Sequence, residues 1–351
     1  MINYGHSQVK RDLDEIINLD LPFEQLKNKT ILITGATGML ASYFGFLLLH
    51  LNEHLKLNIQ PIFLARNYEK LKAVYGEALS TAYYLVQDVC EPIHFDGEIH
   101  YIFHAAGGAS PYHIINDPVG VINANVLGTK NILECARTSN TEKVIFTSTR
   151  EIYGCVEGVN IINESSMGVL DPLNPRDCYP ESKRLAESML QAYYQQYKIS
   201  FNTLRIAHSY GPGMQIQNDG RVMADLINDA VNNRDIILKS DGTAERAFCY
   251  ITDVLTAIIY IMIKGAPCKA YNIANELQPI SILNLAKMLQ KLVNFGNGVS
   301  IQLNEYSKVG YTSYERKMLD TNLLQQLGWM PNIPLEQGLI RTLNTLGVFN
   351  E

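Results

Sequence analysis

The sequence predicts an α/β protein with a Rossmann-type, doubly wound parallel sheet and a smaller C-terminal substrate-binding lobe. Apolar strands alternate with helical segments in the 351-residue chain, the pattern of a parallel sheet covered on both faces. The first strand leads into a glycine-rich turn and an apolar helix, and beyond Gly213 the alternation loosens. The predicted divisions are an N-terminal extension at 1–28, a Rossmann domain at 29–212 with returning segments near 247–275, and a lobe at 213–246 and 276–351.

The individual elements follow from the spacing of apolar residues. Short apolar runs bounded by polar or glycine-containing turns indicate strands, and longer segments with helical spacing indicate helices. Strands are predicted at 31–34, 58–66, 82–89, 99–107, 142–154 and 200–212. Helices are predicted directly after the glycine turn and at 67–76, 117–139 and 179–198.

The glycine turn after the first strand is suited to binding a dinucleotide. Gly35, Gly38 and Ala41 have the spacing of the dinucleotide fingerprint with a small third residue. Gly35 permits the tight turn, Gly38 lets the backbone approach a pyrophosphate, and the free N–H groups of the helix N-terminus attract its charge. The cofactor-binding residues predicted here are Gly35, Thr37, Gly38, Met39 and Leu40.

A tyrosine and a lysine lie one helical turn apart on a single helix face. Tyr179 and Lys183 are four residues apart in the segment CYPESKRLAE. Next to a nicotinamide, the ammonium group of the lysine lowers the pKa of the phenol, which can then exchange a proton with a sugar hydroxyl while hydride moves. Alone, the pair could also be an ordinary amphipathic surface pair.

Composition excludes several classes of protein. The net charge of −6 provides no basic surface for nucleic acid, and no apolar run approaches the roughly 20 residues of a membrane span. The six cysteines lack paired metal-type spacing, so no metal site is predicted and reduced thiols are expected. Because the N-terminal segment is polar and charged, unlike a signal peptide, we expect a cytoplasmic location.

Several motifs occur together in a characteristic order. They include TGATGML at 34–40, HAAGGASP at 104–111, NANVLGT at 123–129, STREIYG at 148–154, YPESK at 179–183 and RAFCYITDV at 246–254. With these motifs the chain resembles the extended short-chain dehydrogenase/reductases that modify nucleotide sugars, over roughly residues 29–338. It looks most like UDP-glucuronate decarboxylases and dTDP-glucose 4,6-dehydratases.

The resemblance implies a set of catalytic residues. Thr149 would hydrogen-bond the sugar oxygen at carbon 4, Tyr179 would exchange a proton with it, and Lys183 would hold the nicotinamide ribose. Glu151 would lie near carbons 5 and 6, and Asn125 would order the active-site helix, often through water. Asn125 and Thr149 could instead satisfy backbone groups, and Glu151 could be a solvated loop carboxylate.

The resemblance also implies how the two ligands would be held. Arg246 would grip a nucleoside diphosphate with its forked guanidinium, and Arg221 would be a second arginine on the nucleotide side. Either arginine could instead form a surface ion pair. The remaining residues that the resemblance assigns to the cofactor are Asp88, Val89, Ala105 and Ala106, and it assigns Ser110 to the substrate.

Arg66 departs from the family pattern at the end of the second strand. Relatives that prefer NAD carry an aspartate there for the ribose 2′-hydroxyl, and a carboxylate repels a 2′-phosphate whereas a guanidinium attracts it. The arginine therefore favours NADP(H) as cofactor, with NAD(H) possible. Alternatively, Arg66 merely lines the adenine edge.

Two further departures concern the sugar. Arg150 replaces the aspartate of 4,6-dehydratases, or the serine of decarboxylases, and a guanidinium is a poor proton donor. It could bind a carboxylate or form a salt bridge. His208 replaces a substrate-binding asparagine and could contact the sugar or phosphate, or simply pack.

The predicted function is NAD(P)-dependent hydride chemistry at carbon 4 of a nucleoside-diphosphate hexose, for a surface polysaccharide. Arg66 and Arg150 favour an NADPH-dependent 4-keto-6-deoxy sugar reductase; the alternative is a redox-neutral UDP-glucuronate decarboxylase, 4,6-dehydratase or 4-epimerase with retained cofactor. The nucleotide (dTDP, UDP, CDP or GDP) stays open. A regulatory protein and a reductase of small metabolites remain as alternatives. Relatives pair two helices per subunit, so a homodimer is expected.

Overall fold

The computed structural model describes residues 2–238, 240–293 and 317–349, together with the backbone of 301–303. Its strands are β1 Thr30–Thr34, β2 Gln60–Ala65, β3 Tyr83–Val86, β4 Tyr101–His104, β5 Lys143–Thr149, β6 Ile161–Ile162, β7 Phe201–Ile206, β8 Ser209–Tyr210, β9 Ile236–Leu238, β10 Glu245–Ala247, β11 Cys249–Tyr250, β12 Lys269–Ile273, β13 Pro279–Ser281, β14 Ile301–Leu303 and β15 Met318–Leu319. Its α-helices are α1 Ser7–Ile17, α2 Met39–Leu55, α3 Tyr68–Tyr75, α4 Pro111–Asn116, α5 Pro118–Thr138, α6 Cys178–Tyr197, α7 Val222–Val231, α8 Ile251–Lys264, α9 Ile282–Leu292, α10 Asn322–Gln325 and α11 Leu335–Asn344.

A seven-stranded parallel sheet organises the chain, in the order β3-β2-β1-β4-β5-β7-β12. The strand order reverses between β1 and β4, and ligands of open α/β sheets bind outside the carboxyl ends of the strands at such a point. The predicted Rossmann-type fold is confirmed. Among the described residues, no helix combines the length and apolar composition that crossing a membrane requires.

Each face of the sheet is covered by its own apolar layer. One face packs against α2 and α8 through side chains such as Phe44 and Ile258, and the other packs against α5 and α6 through side chains such as Ile132 and Leu190. Residues 294–300, 304–316 and 350–351, which belong to the predicted lobe, lie outside the described residues. The domain boundaries stay predictions.

Helix α1 lies within the predicted N-terminal extension and is packed against the Rossmann domain. Its apolar residues are buried against α2 and α8, and the buried Asp12 accepts hydrogen bonds from several side chains. The Arg341 guanidinium of α11 donates to Asp12 Oδ1 at 2.9 Å, and the hydroxyls of Tyr43 and Tyr250 donate to Oδ2 at 3.2 and 2.8 Å. This buried network joins α1, α2, β11 and α11.

Candidate active site

The turn between β1 and α2 has the geometry that the fingerprint predicts. Gly35 has φ +64°, and a Cβ there would lie 2.9 Å from the Cα of Ala106 in the loop after β4, so only glycine fits. Gly38 caps α2 without a side-chain hydrogen bond to the first helical N–H groups. Those groups can therefore accept a phosphate. Thr37, Met39 and Leu40 are half-buried beside them.

Arg66 and Asp88 lie together at the carboxyl ends of β2 and β3, the position predicted for the adenosine half of the cofactor. The Arg66 side chain is 80% exposed, and its Nη1 is 3.8 Å from Asp88 Oδ2. A hydrogen bond from the N–H of Cys90, together with the charge of Arg66, keeps the pKa of Asp88 below its usual value. Val89 is buried, and a Cβ on Gly128 of α5 would lie 2.9 Å from its Cγ1. The Val89 side chain therefore packs against α5.

The three predicted hydride-site residues meet where β5 ends and α6 begins. Tyr179 is 5% exposed and Lys183 is 4% exposed, and Tyr179 shares a hydrogen bond with Thr149. The Lys183 ammonium donates to Thr147 O at 2.8 Å and lies 4.6 Å from the centroid of the Phe146 ring. The structure thus brings Thr149, Tyr179 and Lys183 to one buried corner of the crevice.

Burial dominates the ionisation of the side chains in this corner of the protein alone. Burial and the charge of Glu151 raise the pKa of Tyr179 well above its usual value, against smaller lowering effects of Thr149 and Arg221. The lowered pKa predicted for Tyr179 applies beside a bound nicotinamide and stays a prediction. Burial also lowers the pKa of Lys183 to about 7. The physical reason is desolvation, which disfavours the charged form of both groups.

Asn125 of α5 is linked by hydrogen bonds to α6, the helix that carries Tyr179. Its Nδ2 donates to Ser182 Oγ at 2.9 Å, and Ser182 Oγ donates to the carbonyl oxygen of Tyr179 at 2.9 Å. Asn125 Oδ1 is buried without a hydrogen-bond partner among the described residues, and a Cβ on Gly107 would lie 2.8 Å from it and 3.7 Å from Lys183 Nζ. Within the described part of the chain, Asn125 Oδ1 is thus a free acceptor that lies close to the backbone of Gly107 and to the ammonium group of Lys183. This arrangement fits the hydroxyls of a nicotinamide ribose, or a bridging water.

His104 positions this asparagine and was missed in the sequence. Thr34 Oγ1 accepts the next two backbone N–H groups after His104, each at 3.1 Å, so it donates its hydrogen to His104 Nδ1 at 2.8 Å. His104 Nε2 then carries the ring hydrogen and donates to Thr129 Oγ1 at 3.2 Å, and Thr129 donates to Asn125 O. Burial and the charge of Lys183 lower the pKa of His104 to about 3, so the ring stays neutral. The signal that could have identified His104 is its place at the start of the HAAGG motif, directly after the apolar residues of β4.

Arg150 and His208, the two residues that depart from the family pattern at the sugar site, contact each other. Arg150 Nη1 lies 3.1 Å from His208 Nε2, and His208 has φ +45°, a backbone region that non-glycine residues rarely occupy. Burial and the charge of Arg150 lower the pKa of Arg246, which is half-buried nearby. Two guanidinium groups and an imidazole therefore form a cationic cluster. Glu151, the next residue after Arg150, carries the opposite charge and forms an ion pair, with its Oε1 3.4 Å from Arg176 Nη2.

The other predicted substrate residues are held by neighbours. The Arg221 guanidinium binds both carboxylate oxygens of the buried Asp219, at 2.5 and 2.8 Å, and its charge reaches Tyr179. Ser110 caps α4: its hydroxyl lies 2.7 Å from His113 Nδ1 and accepts the N–H of His113 at 3.3 Å. Arg221 thus lies near Tyr179, while Ser110 fixes the start of α4.

Comparison with known proteins decides the family. Residues 31–274 match the model of the NAD dependent epimerase/dehydratase family. The chain belongs to this family. UDP-glucuronic acid decarboxylase 3 of Arabidopsis thaliana is 31% identical over 89% of this chain and 87% of its own length, and UDP-glucuronic acid decarboxylase 1 of Xenopus tropicalis is 28% identical over 97% and 82%.

A solved structure shows the same fold. A mutant UDP-glucuronic acid 4-epimerase of Bacillus cereus, in complex with a fluorinated UDP-glucuronic acid and NAD, superposes with a TM-score of 0.75 at 20% identity, covering 91% of this chain and 99% of that one. The family resemblance predicted from the motifs, and the enzyme class it implied, are confirmed. The roles assigned to single residues stay predictions.

Proposed function

We propose that the protein decarboxylates a nucleoside-diphosphate uronic acid, with UDP-glucuronate as the first candidate, by redox-neutral chemistry at carbon 4. The observation that carries this proposal is the cationic cluster of Arg150, His208 and Arg246 beside Thr149 and Tyr179. A nucleoside-diphosphate uronate carries a carboxylate in addition to its diphosphate, so it offers separate anions to the two guanidinium groups.

The electrostatics of the cluster support an anionic sugar. Burial and repulsion by Arg150 lower the pKa of Arg246, so an anion bound beside the Arg246 guanidinium would stabilise its charged form. Arg246 lies within β10, in the predicted lobe, whereas Arg150 directly follows Thr149 in the chain. We therefore assign the diphosphate to Arg246 and the sugar carboxylate to Arg150 and His208.

The proposed chemistry uses few side chains. A bound oxidised nicotinamide would accept hydride from carbon 4 and later return it. Tyr179 Oη takes the proton of the carbon-4 hydroxyl and gives it back at the end, and Thr149 holds that oxygen. Once carbon 4 is a ketone, the bond from carbon 5 to the carboxylate breaks, its electron pair moves toward the ketone and CO₂ leaves. Glu151 then supplies the proton that carbon 5 takes up.

The reductase that Arg66 and Arg150 favoured receives less support than its alternative. The two curated relatives described above are UDP-glucuronic acid decarboxylases. In the structure Arg150 Nη1 lies 3.1 Å from His208 Nε2. An anion-binding role of Arg150 is compatible with decarboxylation, so the substitution no longer favours the reductase.

The test is to incubate the protein with UDP-glucuronate and identify the product by mass spectrometry. We expect loss of CO₂ and a UDP-pentose without added reductant, and no conversion of UDP-glucose. Arg150→Ser should raise KM for UDP-glucuronate at least about tenfold, the value of one lost charge-assisted contact, with UDP affinity unchanged. The exposed Arg234→Ser is the matched control. An isomerised uronate would indicate a 4-epimerase, and turnover only of a 4-keto-6-deoxy sugar with NADPH would restore the reductase.

The identity of the dinucleotide is a separate proposal that rests on Arg66. The exposed guanidinium at the end of β2 supports NADP(H), although the solved relative contains NAD. Arg66→Asp should shift the ratio of NADPH to NADH affinity toward NADH by at least about tenfold, because a carboxylate repels the 2′-phosphate. Titration of cofactor-free protein by fluorescence measures both constants. The exposed Lys72→Asp on α3 is the charge-matched control, and an equal shift in that variant would reject a specific role of Arg66.

We also propose that two chains pair through α5 and α6, since both helices expose apolar side chains: Val119, Ile122, Leu127 and Leu185. A molar mass of one chain in light scattering would contradict the pairing. The predicted cytoplasmic location and the absence of nucleic-acid partners stay predictions.

A further inference from the structure

We propose that Asp14, His50 and His54 form a binding site for a divalent transition-metal ion, with Zn²⁺ as the reference ion, on the side of the Rossmann domain where α1 packs against α2. One ligand atom from each of the three residues lies within 4.8 Å of the others. No metal site was predicted from the cysteine spacing, and these residues have no role in the chemistry proposed above.

The two histidines are arranged as helical metal ligands are. His50 and His54 are one turn apart on α2, which directs both imidazoles to one side of the helix, with ring centroids 4.2 Å apart. Asp14 approaches from α1, with Oδ1 2.8 Å from His50 Nε2. Two imidazoles and one carboxylate suit Zn²⁺, Ni²⁺ or Cu²⁺ rather than Mg²⁺ or Ca²⁺, which prefer oxygen ligands.

The hydrogen bonding of His50 is incomplete in a way that a metal ion would correct. The His50 side chain is 1% exposed, and its Nδ1 is buried with no hydrogen-bond partner among the described residues. When Nε2 binds a metal, the neutral ring carries its hydrogen on Nδ1. That nitrogen lies 4.0 Å from Glu53 Oε2, so Glu53 would become the carboxylate that orients a metal-bound histidine from behind.

A lysine on α1 is the cation that would oppose metal binding. Lys10 Nζ is paired with Glu53 Oε2 at 3.2 Å and lies over the Tyr4 ring, so its charge is already partly compensated.

Metal binding requires the three ligand atoms, which now lie within 4.8 Å of one another, to move to tetrahedral spacing. Tetrahedral zinc places neighbouring N and O ligand atoms about 3.3 Å apart, so Asp14 would have to withdraw slightly from its present 2.8 Å contact with His50. The Asp14 side chain is 53% exposed and free to do so, and His54 is exposed as well. Solvent can supply the remaining ligand. An ion bound here would link α1, which carries the buried Asp12, to α2 of the cofactor-binding unit.

The experiment is a titration of tag-free, chelator-treated protein with ZnCl₂ by calorimetry and with CoCl₂ by visible absorption. We expect saturable binding of one ion, a tetrahedral Co²⁺ spectrum, and an increase in the thermal unfolding temperature that EDTA reverses. His54→Ala should weaken binding at least about tenfold. Asp14→Asn, which keeps a hydrogen-bonding group beside His50, should also weaken it.

The matched control is His94→Ala, which removes an exposed histidine elsewhere and should leave binding unchanged. His54 and Asp14 are exposed, so both variants should unfold near the wild-type temperature in the absence of metal. The proposal is overturned if wild-type protein shows no saturable binding, or if His54→Ala binds the ion as tightly as His94→Ala does. These readouts do not involve turnover, so they stand apart from the proposed reaction.

Discussion

Replacing Tyr179 by phenylalanine is expected to lower kcat by about 10³-fold or more, because the variant loses the group that exchanges the carbon-4 proton. The phenol is buried at the junction of β5 and α6 and shares a hydrogen bond with Thr149. Removing one hydroxyl leaves the glycine turn and the environment of Asn125 Oδ1 intact. The dissociation constant of the dinucleotide should therefore change by no more than roughly twofold. A tenfold change would correspond to about 1.4 kcal/mol of binding free energy.

Turnover should be measured as CO₂ release from UDP-glucuronate, and cofactor affinity by titration of the stripped protein. Tyr197→Phe is the matched control, because it makes the same change on the exposed last residue of the same helix. If Tyr179→Phe retained wild-type turnover, another group would have to move the proton. A parallel loss of turnover and cofactor binding would instead assign a structural role to the hydroxyl.

Replacing Arg341 by methionine is expected to destabilise the protein by about 3–5 kcal/mol, because it leaves the carboxylate of Asp12 buried without its cation. Asp12 is 0% exposed, and burial already raises its pKa in spite of the opposing effects of Tyr250, Arg341 and Gln8. The arginine also holds Glu15 through two contacts of 2.8 and 2.9 Å. The network joins the two ends of the described chain, so α1 and α11 should both loosen.

Urea unfolding followed by circular dichroism measures the loss as a shift of the midpoint. Arg234→Met, which breaks an exposed pair with Asp229, should change stability by less than about 1 kcal/mol. The double variant Arg341→Met with Asp12→Asn should recover part of the loss, because the buried charge is then absent. Equal midpoints for Arg341→Met and Arg234→Met would show that Asp12 is neutral in the folded protein.

Sequence patterns predicted the parts of the site that depend on local structure. The turn at Gly35 and Gly38 lies between one strand and the helix that follows it, so its spacing is legible along the chain. Tyr179 and Lys183 are neighbours by helical geometry alone. Helix α1 was read only as an extension, because its charged residues obscured the buried stripe of Val9, Leu13 and Ile16.

Other features required side chains from distant segments. The raised pKa of Tyr179 in the protein alone could not be predicted, because desolvation depends on everything packed around the phenol. His104 acquires its fixed tautomer from Thr34 and Thr129, each 25 or more positions away. Arg150 and His208 looked like two unrelated departures from the family, and the fold placed them 3.1 Å apart.

By itself, the sequence determined the parallel sheet of the Rossmann-type fold and the family, and it predicted the dinucleotide turn and the set of Thr149, Tyr179 and Lys183. Each of these depends on neighbours in the chain or on repeated spacing. Only the tertiary structure decided how these groups ionise, which charges form one cluster, and that Asp14 meets His50 and His54. Charge state and ligand geometry depend on burial and on distances through space, and residues far apart in the chain set both.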